Sequence, residues 1–227
     1  DGIRDSSVTG VQTCALPIFM LFTKSSPDSF RGSIVMINLL TRTYTIEKID
    51  IQLALKISHY TVAGTNSIIG GSVGSQPAIA IYQHGTGKTR ILPGFFLTDA
   101  DLLDIKPNHN NTFSVLQLQK AGKDKTVVYR AYDQDGNLLI EDRFRVDPEV
   151  SLLSAMASTL KNEEVMIAGA YTYGTNRMAS GIFTATVNPF DEQELTYTDF
   201  TMLRHFLDYM PQSKSSRSEE HTSELQS

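Results

Sequence analysis

The string HGTGKT at 84–89 ends in the Gly-Lys-Thr of a phosphate-binding loop. The complete motif needs a glycine five residues before Gly87, and Tyr82 stands there. The residues that follow, 90–96, have the composition of a strand, whereas a phosphate site of this kind needs the N-terminus of a helix. We therefore predict a hairpin turn at 84–89 and no nucleotide site.

A second string, DQDGN at 133–137, has the carboxylate and amide groups that open a calcium-binding loop. In such a loop a glycine stands at position six and a bidentate glutamate at position twelve. Here Gly136 is at position four and Phe144 is at position twelve, so the ligand set is incomplete. We predict a tight turn at Asp135 and Gly136 instead, with Tyr132 and Leu138 in the paired strands on either side.

The histidines that lie away from the chain ends fall on separate predicted elements, and none has the spacing of a paired metal ligand. They are His59, His84, His109 and His205. The sequence has one cysteine, Cys14, which excludes a disulfide framework, and it contains no G-x-S-x-G nucleophile motif. We therefore predict no catalytic residue, no metal site and no cofactor.

The elements that carry these residues are predicted to be strands. From Ser33 to Thr201, short runs rich in Val, Ile, Tyr, Phe and Thr are separated by Gly, Asn, Asp and Lys turns. Apolar residues at helical spacing occur only near 200–210, where a short helix is predicted. Those residues are Phe200, Leu203, Phe206, Leu207 and Met210.

The apolar runs repeat along the chain. Ile34, Ile79, Val127 and Ile182 mark equivalent runs, at spacings of 45, 48 and 55 residues. SIIGGSV at 67–73 resembles VMIAGAY at 165–171 when Gly71 is aligned with Gly169. Each unit contains four apolar runs, and four strands in roughly 40 to 50 residues is the period of a β-propeller blade.

The chain therefore resembles β-propeller blades over about 33–202, without the W-D or kelch signature that would identify a family. The stretch 165–183 is similar to blades of uncharacterised bacterial envelope propellers. The resemblance implies an all-β partial propeller with blades at 53–97, 100–146 and 150–201. Residues 33–49 would be the outer half of an earlier blade that lacks its own inner strands. A meandering β-sandwich is the alternative.

An open arc is expected, since a propeller needs at least four blades to close. The final blade would then expose part of the face that contains Ile167, Ile182 and Phe183. Lys56, Asp104 and Ser154 stand near the start of the first strand of successive blades and share no chemistry. Their dissimilarity favours binding over catalysis, because a propeller enzyme would repeat titratable groups around its axis.

Candidate binding residues follow from the resemblance, because the connections between blades and the loops between second and third strands share one face. A polar cluster is expected where one blade crosses to the next, and it contains Asp99, Asp101, Asp104, Asn108 and His109. The longest loop, 172–179, contributes Tyr173, Asn176 and Arg177, which suit a sugar, a peptide or a carboxylate. The predicted partner is a protein, peptide or glycan.

Both ends of the sequence resemble translated sequencing adapter. RSEEHTSELQS at 217–227 is encoded by one strand of a widely used library adapter, and VTGVQTCALPI at 8–18 is encoded by the other strand. DGIRD at 1–5 fits the upstream arm of the same adapter. We therefore expect 1–18 to belong to no domain, 19–210 to form the partial propeller, and 211–227 to be a tail. The parent protein would extend beyond both ends.

Composition limits the classes of partner. The chain has 20 basic and 25 acidic residues, a net charge of −5 that does not indicate nucleic-acid binding. No run of 18 apolar residues is present, so no membrane-spanning helix is expected. The expected function is that of a fragment of a binding or scaffold propeller, exported to the periplasm, the cell surface or the medium. The alternative is a fragment of a propeller enzyme of the lactonase, lyase or glycoside hydrolase type.

Overall fold

The computed structural model describes residues 18–24, 29–95, 99–160, 164–174, 178–188 and 193–200. Within these ranges the regular secondary structure is entirely β-strand. The helix predicted near 200–210 and the adapter-like segments 1–17 and 217–227 lie outside the described residues.

The strands form four sheets that follow one another along the chain. The first sheet contains β1 (Ile18–Lys24), β2 (Phe30–Asn38) and β3 (Thr43–Ile51). The second contains β4 (Leu55–Ala63), β5 (Asn66–Val73), β6 (Gln76–Gln83) and β7 (Lys88–Ile91). The third contains β8 (Ala100–Pro107), β9 (Phe113–Ala121), β10 (Asp124–Tyr132) and β11 (Leu138–Val146). The fourth contains β12 (Val150–Thr159), β13 (Val165–Tyr173), β14 (Gly181–Thr186) and β16 (Thr196–Asp199). The two-residue β15 (Gln193–Glu194) precedes β16 in the chain.

Each sheet pairs its strands in chain order and antiparallel, and none of the four closes on itself. The short β15 adds a parallel contact to β11 at the edge of the third sheet. The described chain is therefore an all-β, open partial propeller, as the sequence predicted. Each of the three predicted blades contains one of the four-stranded sheets.

The turns have the chemistry that the sequence predicted for them. Gly136 adopts a φ of 74° in the turn between β10 and β11, and Tyr132 pairs with Leu138 across it. Asp133 closes this turn, because its carboxylate accepts hydrogen bonds from the backbone and side chain of Asn137 at 2.8 and 2.7 Å. The turn between β6 and β7 likewise lies in the string at 84–89, at residues 84–87, with both of its glycines at positive φ.

The first sheet has three strands, so the expectation of only two, at 33–49, is wrong. β1 pairs with β2 along its length, from Ile18 opposite Ile37 to Lys24 opposite Arg31. The added strand satisfies backbone groups of β2 that would otherwise form an open sheet edge. Its first residue, Ile18, is the last residue of the adapter-like segment.

The core consists of three apolar clusters, one between each pair of neighbouring sheets. Ile34, Ile69 and Ala80 belong to the first cluster, Ile79, Phe95 and Phe113 to the second, and Phe144, Tyr171 and Phe183 to the third. A sheet has two faces, and stacking each sheet against the next buries the face that it cannot cover alone.

Ile167 and Phe183 are fully buried against the third sheet, whereas Ile182 is 43% exposed. The prediction that all three share a partly exposed face is therefore wrong for Ile167 and Phe183. Successive residues of a strand point to opposite faces, so the neighbours Ile182 and Phe183 cannot lie on the same one.

The first strands of the three complete blades form the inner edge of the arc, where β4 contacts β8 and β8 contacts β12. Each contains a β-bulge, which inserts Ser58, Leu103 and Leu153 respectively. Gly71 and Gly169 lie beside two of these bulges, and a Cβ on either would lie 2.1 Å from the carbonyl oxygen of Lys56 or Ser154. Close approach of the bulged backbone therefore requires glycine at both positions.

The two glycines do not occupy equivalent positions, however. The turn glycines Gly74 and Gly174 follow Gly71 and Gly169 by three and five residues respectively. The alignment that sets Gly71 on Gly169 is therefore two residues out of register. The shared Gly-containing string reflects the same need for space beside a bulge.

Candidate functional site

The antiparallel order of each sheet gives the arc two distinct faces. We call one the crossover face; it carries the connections between consecutive sheets and the turns β5–β6, β9–β10 and β13–β14. The opposite hairpin face carries the turns β4–β5, β6–β7, β8–β9 and β10–β11. Any site assembled from loops of neighbouring blades lies on one of these two faces.

A cleft of about 650 Å³ opens at the crossover face between the second and third sheets, and we call it the crossover cleft. From the second sheet, β4 contributes Lys56, Ile57 and Ser58, and β5 contributes Ser72. The following turn and β6 contribute Gly74, Ser75 and Pro77. Ala100, Asp101 and Leu102 come from the start of β8. The volume is within the range of sites that bind small organic ligands.

The lining combines hydroxyl groups, one charge of each sign and an apolar surface. Lys56 and Asp101 are both exposed, and Asp101 forms an ion pair with Lys120 at 2.5 Å. Ser58 and Ser75 are exposed hydroxyl residues of the same lining. Such a surface can donate to and accept from a polar ligand while packing against its carbon skeleton.

The predicted polar cluster is divided between the two faces, which corrects the expectation that it lies at one crossover. Asp99 and Asp101 are at the crossover face, where the Asp99 carbonyl accepts a hydrogen bond from the Lys120 N–H at 2.8 Å. His109 lies in the turn after β8, at the hairpin face. The eight residues of β8 separate these groups, because the run 100–107 is a strand and not part of a connection.

Asp104 lies within β8, immediately after the bulge, and links the third sheet to the fourth. Its carboxylate accepts a hydrogen bond from the Ala157 N–H at 3.4 Å and lies 3.6 Å from the ammonium nitrogen of Lys106. These contacts hold the carboxylate against β12 and assign it a structural role at the inner edge.

Tyr173 lies at the end of β13 on the crossover face and is half exposed. Its hydroxyl donates to Asp199 at 3.2 Å, and the same carboxylate oxygen accepts from Tyr171. The rings of Tyr171 and Tyr173 make an edge contact at 5.5 Å between centroids. Asn176 and Arg177 lie outside the described residues.

Register identifies the residues that are equivalent around the inner edge. The residue that directly follows the bulge is His59 in β4, Asp104 in β8 and Ser154 in β12. The equivalent of Asp104 and Ser154 in β4 is therefore His59, and not Lys56 as the sequence suggested. His59 bonds to Ser58 and to the Leu103 carbonyl, at 2.8 and 3.2 Å, and Ser154 accepts from the Ala170 N–H at 3.3 Å. Each of the three side chains is therefore engaged by neighbouring protein groups.

Sequence reasoning missed a chain of hydrogen bonds between the first and second sheets. The His84 ring lies 2.8 Å from a Glu47 carboxylate oxygen and, through its other nitrogen, 2.9 Å from the Ser67 hydroxyl. The Ser67 hydroxyl is also 3.0 Å from the Tyr60 hydroxyl. Burial and the Glu47 carboxylate raise the pKa of the nearby Tyr82 to about 12.

This chain has the connectivity of an acid, a base and a nucleophile, but Ser67 has no solvent exposure. A substrate carbonyl cannot reach its hydroxyl in this arrangement. The three residues are far apart in sequence, on β3, on β5 and in the turn after β6, so no local motif marks them. Their role in this structure is to join two sheets.

A second polar chain lies within the third sheet, and its arginine contacts an aromatic ring that follows the last strand of the second. Arg130 bonds to Glu141 at 2.7 Å and to the side chain of Gln117 at 3.0 Å, and its guanidinium carbon lies 5.5 Å from the centre of the Phe95 ring. Burial alone would raise the pKa of Glu141, but hydrogen bonds and charge from Arg130 and Arg143 outweigh burial and lower it. This carboxylate is therefore held ionised beside two guanidinium groups.

Within the described ranges, no three His, Cys, Asp or Glu side chains are grouped closely enough to hold a metal ion. That part of the chain also has no helix of the length and apolarity needed to cross a membrane.

No protein-family model matches the chain, and no curated protein matches it significantly. Among solved structures it is similar to an acylaminoacyl peptidase of Pyrococcus horikoshii, with 8% identity, a TM-score of 0.41, and coverage of 79% of this chain and 32% of the other. An ACO/RPE65 chimera matches with 9% identity, a TM-score of 0.45, and coverage of 81% and 46%. Dihydro-heme d1 dehydrogenase NirN in complex with DHE matches with 9% identity, a TM-score of 0.32, and coverage of 78% and 46%. The chain thus spans less than half the length of each of these proteins.

Proposed function

We propose that this chain is the binding part of a larger propeller and that it holds a peptide or glycan in the crossover cleft. The observation that carries the proposal is the lining of this cleft, where Lys56 and Asp101 lie with serine hydroxyls around an apolar surface. Peptides and glycans both present alternating polar and carbon surfaces, which this lining can match. Asp99 and Tyr173 lie on the same face of the arc as the cleft.

Catalysis at the inner edge has less support. A propeller enzyme of the lactonase, lyase or hydrolase type needs titratable groups that are free to reach the substrate. His59, Asp104 and Ser154 are instead hydrogen-bonded to neighbouring protein groups. A binding function therefore fits the described residues better than an enzymatic one, and export of the protein remains a prediction.

The proposal is tested by screening the full chain against peptide and glycan arrays and titrating the strongest binder calorimetrically. Ser75→Trp places a large ring at the rim of the crossover cleft, from a two-residue turn. Lys123→Trp is the matched control, because Lys123 occupies the same place in the turn between β9 and β10, outside the cleft.

We expect Ser75→Trp to weaken binding at least about tenfold, which corresponds to about 1.4 kcal/mol, while Lys123→Trp leaves it unchanged. Equal affinity of the two variants, or no binder on either array, would contradict the proposed function.

A further inference from the structure

The first sheet has an open position beside β1. Among the described residues β1 pairs with β2 alone, so its other edge has no strand beside it there. Each of the other three sheets begins with an inner strand, β4, β8 or β12, which pairs with the second strand of the same sheet. We call the open position beside β1 the inner gap.

The contacts of the outermost strands show that β1 has the place of a second strand. Glu47 of β3 bonds to His84 in the turn between β6 and β7. In the next pair of sheets, Arg90 of β7 pairs with Asp135 in the turn between β10 and β11. β3 is therefore equivalent to β7, which makes β2 equivalent to β6 and β1 equivalent to β5. The inner gap is thus the place that β4 occupies in the second sheet.

The second strands differ in burial according to whether an inner strand lies beside them. β5 and β9 each have one, and both are buried over their first six residues. In β1, Phe19 and Leu21 point toward the second sheet and pack on the shared cluster, but they are only partly buried. Their neighbours Ile18 and Met20 are each 44% exposed. Apolar surface of β1 therefore remains open to a further strand.

The opposite wall of the inner gap is the face of β4 that points toward the first sheet. Ile57 and Tyr60 pack on the cluster shared with that sheet, and Val62 follows Tyr60 on the same face. All three side chains are partly exposed. A strand in the inner gap would contact this face as β4 contacts β8 and as β8 contacts β12.

β1 also lacks the features by which the other sheet edges oppose further pairing. The inner strands β4, β8 and β12 contain bulges. β7 and β16 have only four residues each, β11 is partly covered by β15, and β3 has charged residues at 47, 48 and 50. β1 has the sequence IFMLFTK and pairs with β2 over seven residues without a bulge. Its unpaired edge is therefore a regular template for one more strand.

We propose that the inner gap binds an extended peptide segment of another polypeptide, which adds to β1 as the fourth strand of the first sheet. The segment runs antiparallel to β1, as β4 runs to β5, and the length of β1 limits the pairing to about seven residues. Its backbone bonds to the free edge of β1. Apolar side chains at alternate positions of the segment pack on Ile57, Tyr60 and Val62.

The sequence before β1 favours a strand that is not joined to β1 by a tight turn. The described turns between inner and second strands contain residues at positive φ, namely Gly64 in one and Asn110 and Asn111 in the other. Leu16 and Pro17 directly precede β1, and the ring of proline excludes a positive φ. A segment supplied by a separate polypeptide needs no such turn.

The test uses the full chain and a fluorescein-labelled peptide of seven residues, in which valine alternates with threonine, followed by a lysine. Fluorescence anisotropy measures its affinity. Two further peptides carry N-methyl groups on the valines or on the threonines, because the N–H groups of alternate residues point to opposite edges of a strand. We expect one of these two peptides to bind at least about tenfold more weakly and the other to bind like the parent peptide. Equal loss in both, or loss in neither, would overturn pairing with β1.

Hydrogen exchange and two variants locate the bound peptide. We expect the peptide to slow exchange of the β1 amides that do not bond to β2, and to leave β3 at 43–51 unchanged. Val62→Lys puts a charge on the wall of the inner gap, and Ile46→Lys is the matched control on exposed β3. We expect Val62→Lys to weaken binding about tenfold and Ile46→Lys to have no effect, with thermal melts showing that both variants are folded.

No binding of the parent peptide at about 1 mM, or equal loss in the two lysine variants, would overturn the proposal. Slow exchange of the same β1 amides before peptide is added would show that this chain or a second copy already fills the inner gap, which also contradicts it. Ser75→Trp should leave binding of this peptide unchanged, so the inner gap and the crossover cleft are tested separately.

Discussion

The His84 ring nitrogen lies 2.9 Å from the Ser67 hydroxyl and so links the turn after β6 to the buried part of β5. The opposite ring nitrogen bonds to Glu47 of the first sheet, and Glu47 also accepts from the Gly85 N–H at 3.0 Å. One imidazole thus connects two blades through groups that are mostly shielded from water. Stability, and not turnover, is the property that this relationship controls.

Replacing His84 by Phe is expected to lower the free energy of unfolding by about 1 to 3 kcal/mol, because Ser67 and Glu47 lose a buried partner. Urea unfolding monitored by tyrosine fluorescence measures the change. His109→Phe is the control, because His109 is exposed in a turn.

A serine-directed fluorophosphonate should leave Ser67 unmodified, and labelling at that position would contradict the assignment of a structural role.

Acid should weaken the contact between the first and second sheets that Glu47 makes, and the contacts within the third sheet that Glu141 makes. Burial would raise the pKa of each carboxyl. Hydrogen bonds and charge from His84 instead lower the pKa of Glu47 below 4.5. Those from Arg130 and Arg143 likewise lower the pKa of Glu141 below 4.5. A carboxyl whose pKa is lower in the folded state stabilises that state above its unfolded pKa, and the contribution is lost as the pH falls through the folded pKa. The free energy of unfolding should therefore decrease as the pH is lowered below about 4.5.

Urea unfolding at pH 7 and at successively lower pH tests this dependence. Glu47→Gln and Glu141→Gln should each make the decrease in stability below pH 4.5 smaller than in the unmodified protein. The same pH profile in all three proteins would show that other carboxyl groups are responsible.

Gly71→Ala should destabilise the second sheet by more than 1 kcal/mol, because the new Cβ would lie 2.1 Å from the Lys56 carbonyl oxygen. Gly74→Ala is the matched control, since Gly74 has a positive φ but no atom within 4 Å of an added Cβ. It should cost about 1 kcal/mol from backbone conformation alone. Equal destabilisation of the two variants in urea would argue against the close approach beside the bulge.

The two end sheets of the arc are expected to drive self-association. Tyr44 and Ile46 of the first sheet are 68% and 56% exposed, and Met156 and Ile182 of the fourth are 52% and 43% exposed. Exposed apolar patches of this kind favour association. Light scattering after gel filtration should show a mass that rises with concentration, and the double variant Ile46→Lys, Ile182→Lys should reduce it. A concentration-independent monomer would contradict this expectation.

The strands, the hairpin turns and the order of the blades were predictable because their signals are local. Runs of β-branched residues and the Asp-Gly turn at 135–136 specify their own conformations within a few residues. Strand alternation also implies that the neighbours Ile182 and Phe183 face opposite sides of the sheet. The prediction that they share one exposed face was wrong because it did not apply this alternation. β1 was missed because its apolar run overlaps the adapter-like segment.

The sites were less predictable because they are assembled from distant parts of the chain. Asp101 and Lys56 line one cleft from neighbouring sheets, and no spacing in the sequence brings them together. The bond between Glu47 and His84 likewise joins residues 37 positions apart.

The bulges of the inner strands have a consequence for the tolerance of these strands to deletions. Leu55, Ile57 and Tyr60 pack on the same cluster, so the alternation of β4 shifts by one residue at Ser58. Removing Ser58 restores an uninterrupted alternation and leaves each remaining side chain on its original face. Removing one residue elsewhere within β4 reverses the facing of the residues between that point and Ser58. At Ser58, Leu103 and Leu153, therefore, one residue can be deleted from an inner strand without moving the remaining side chains to the opposite face of the sheet.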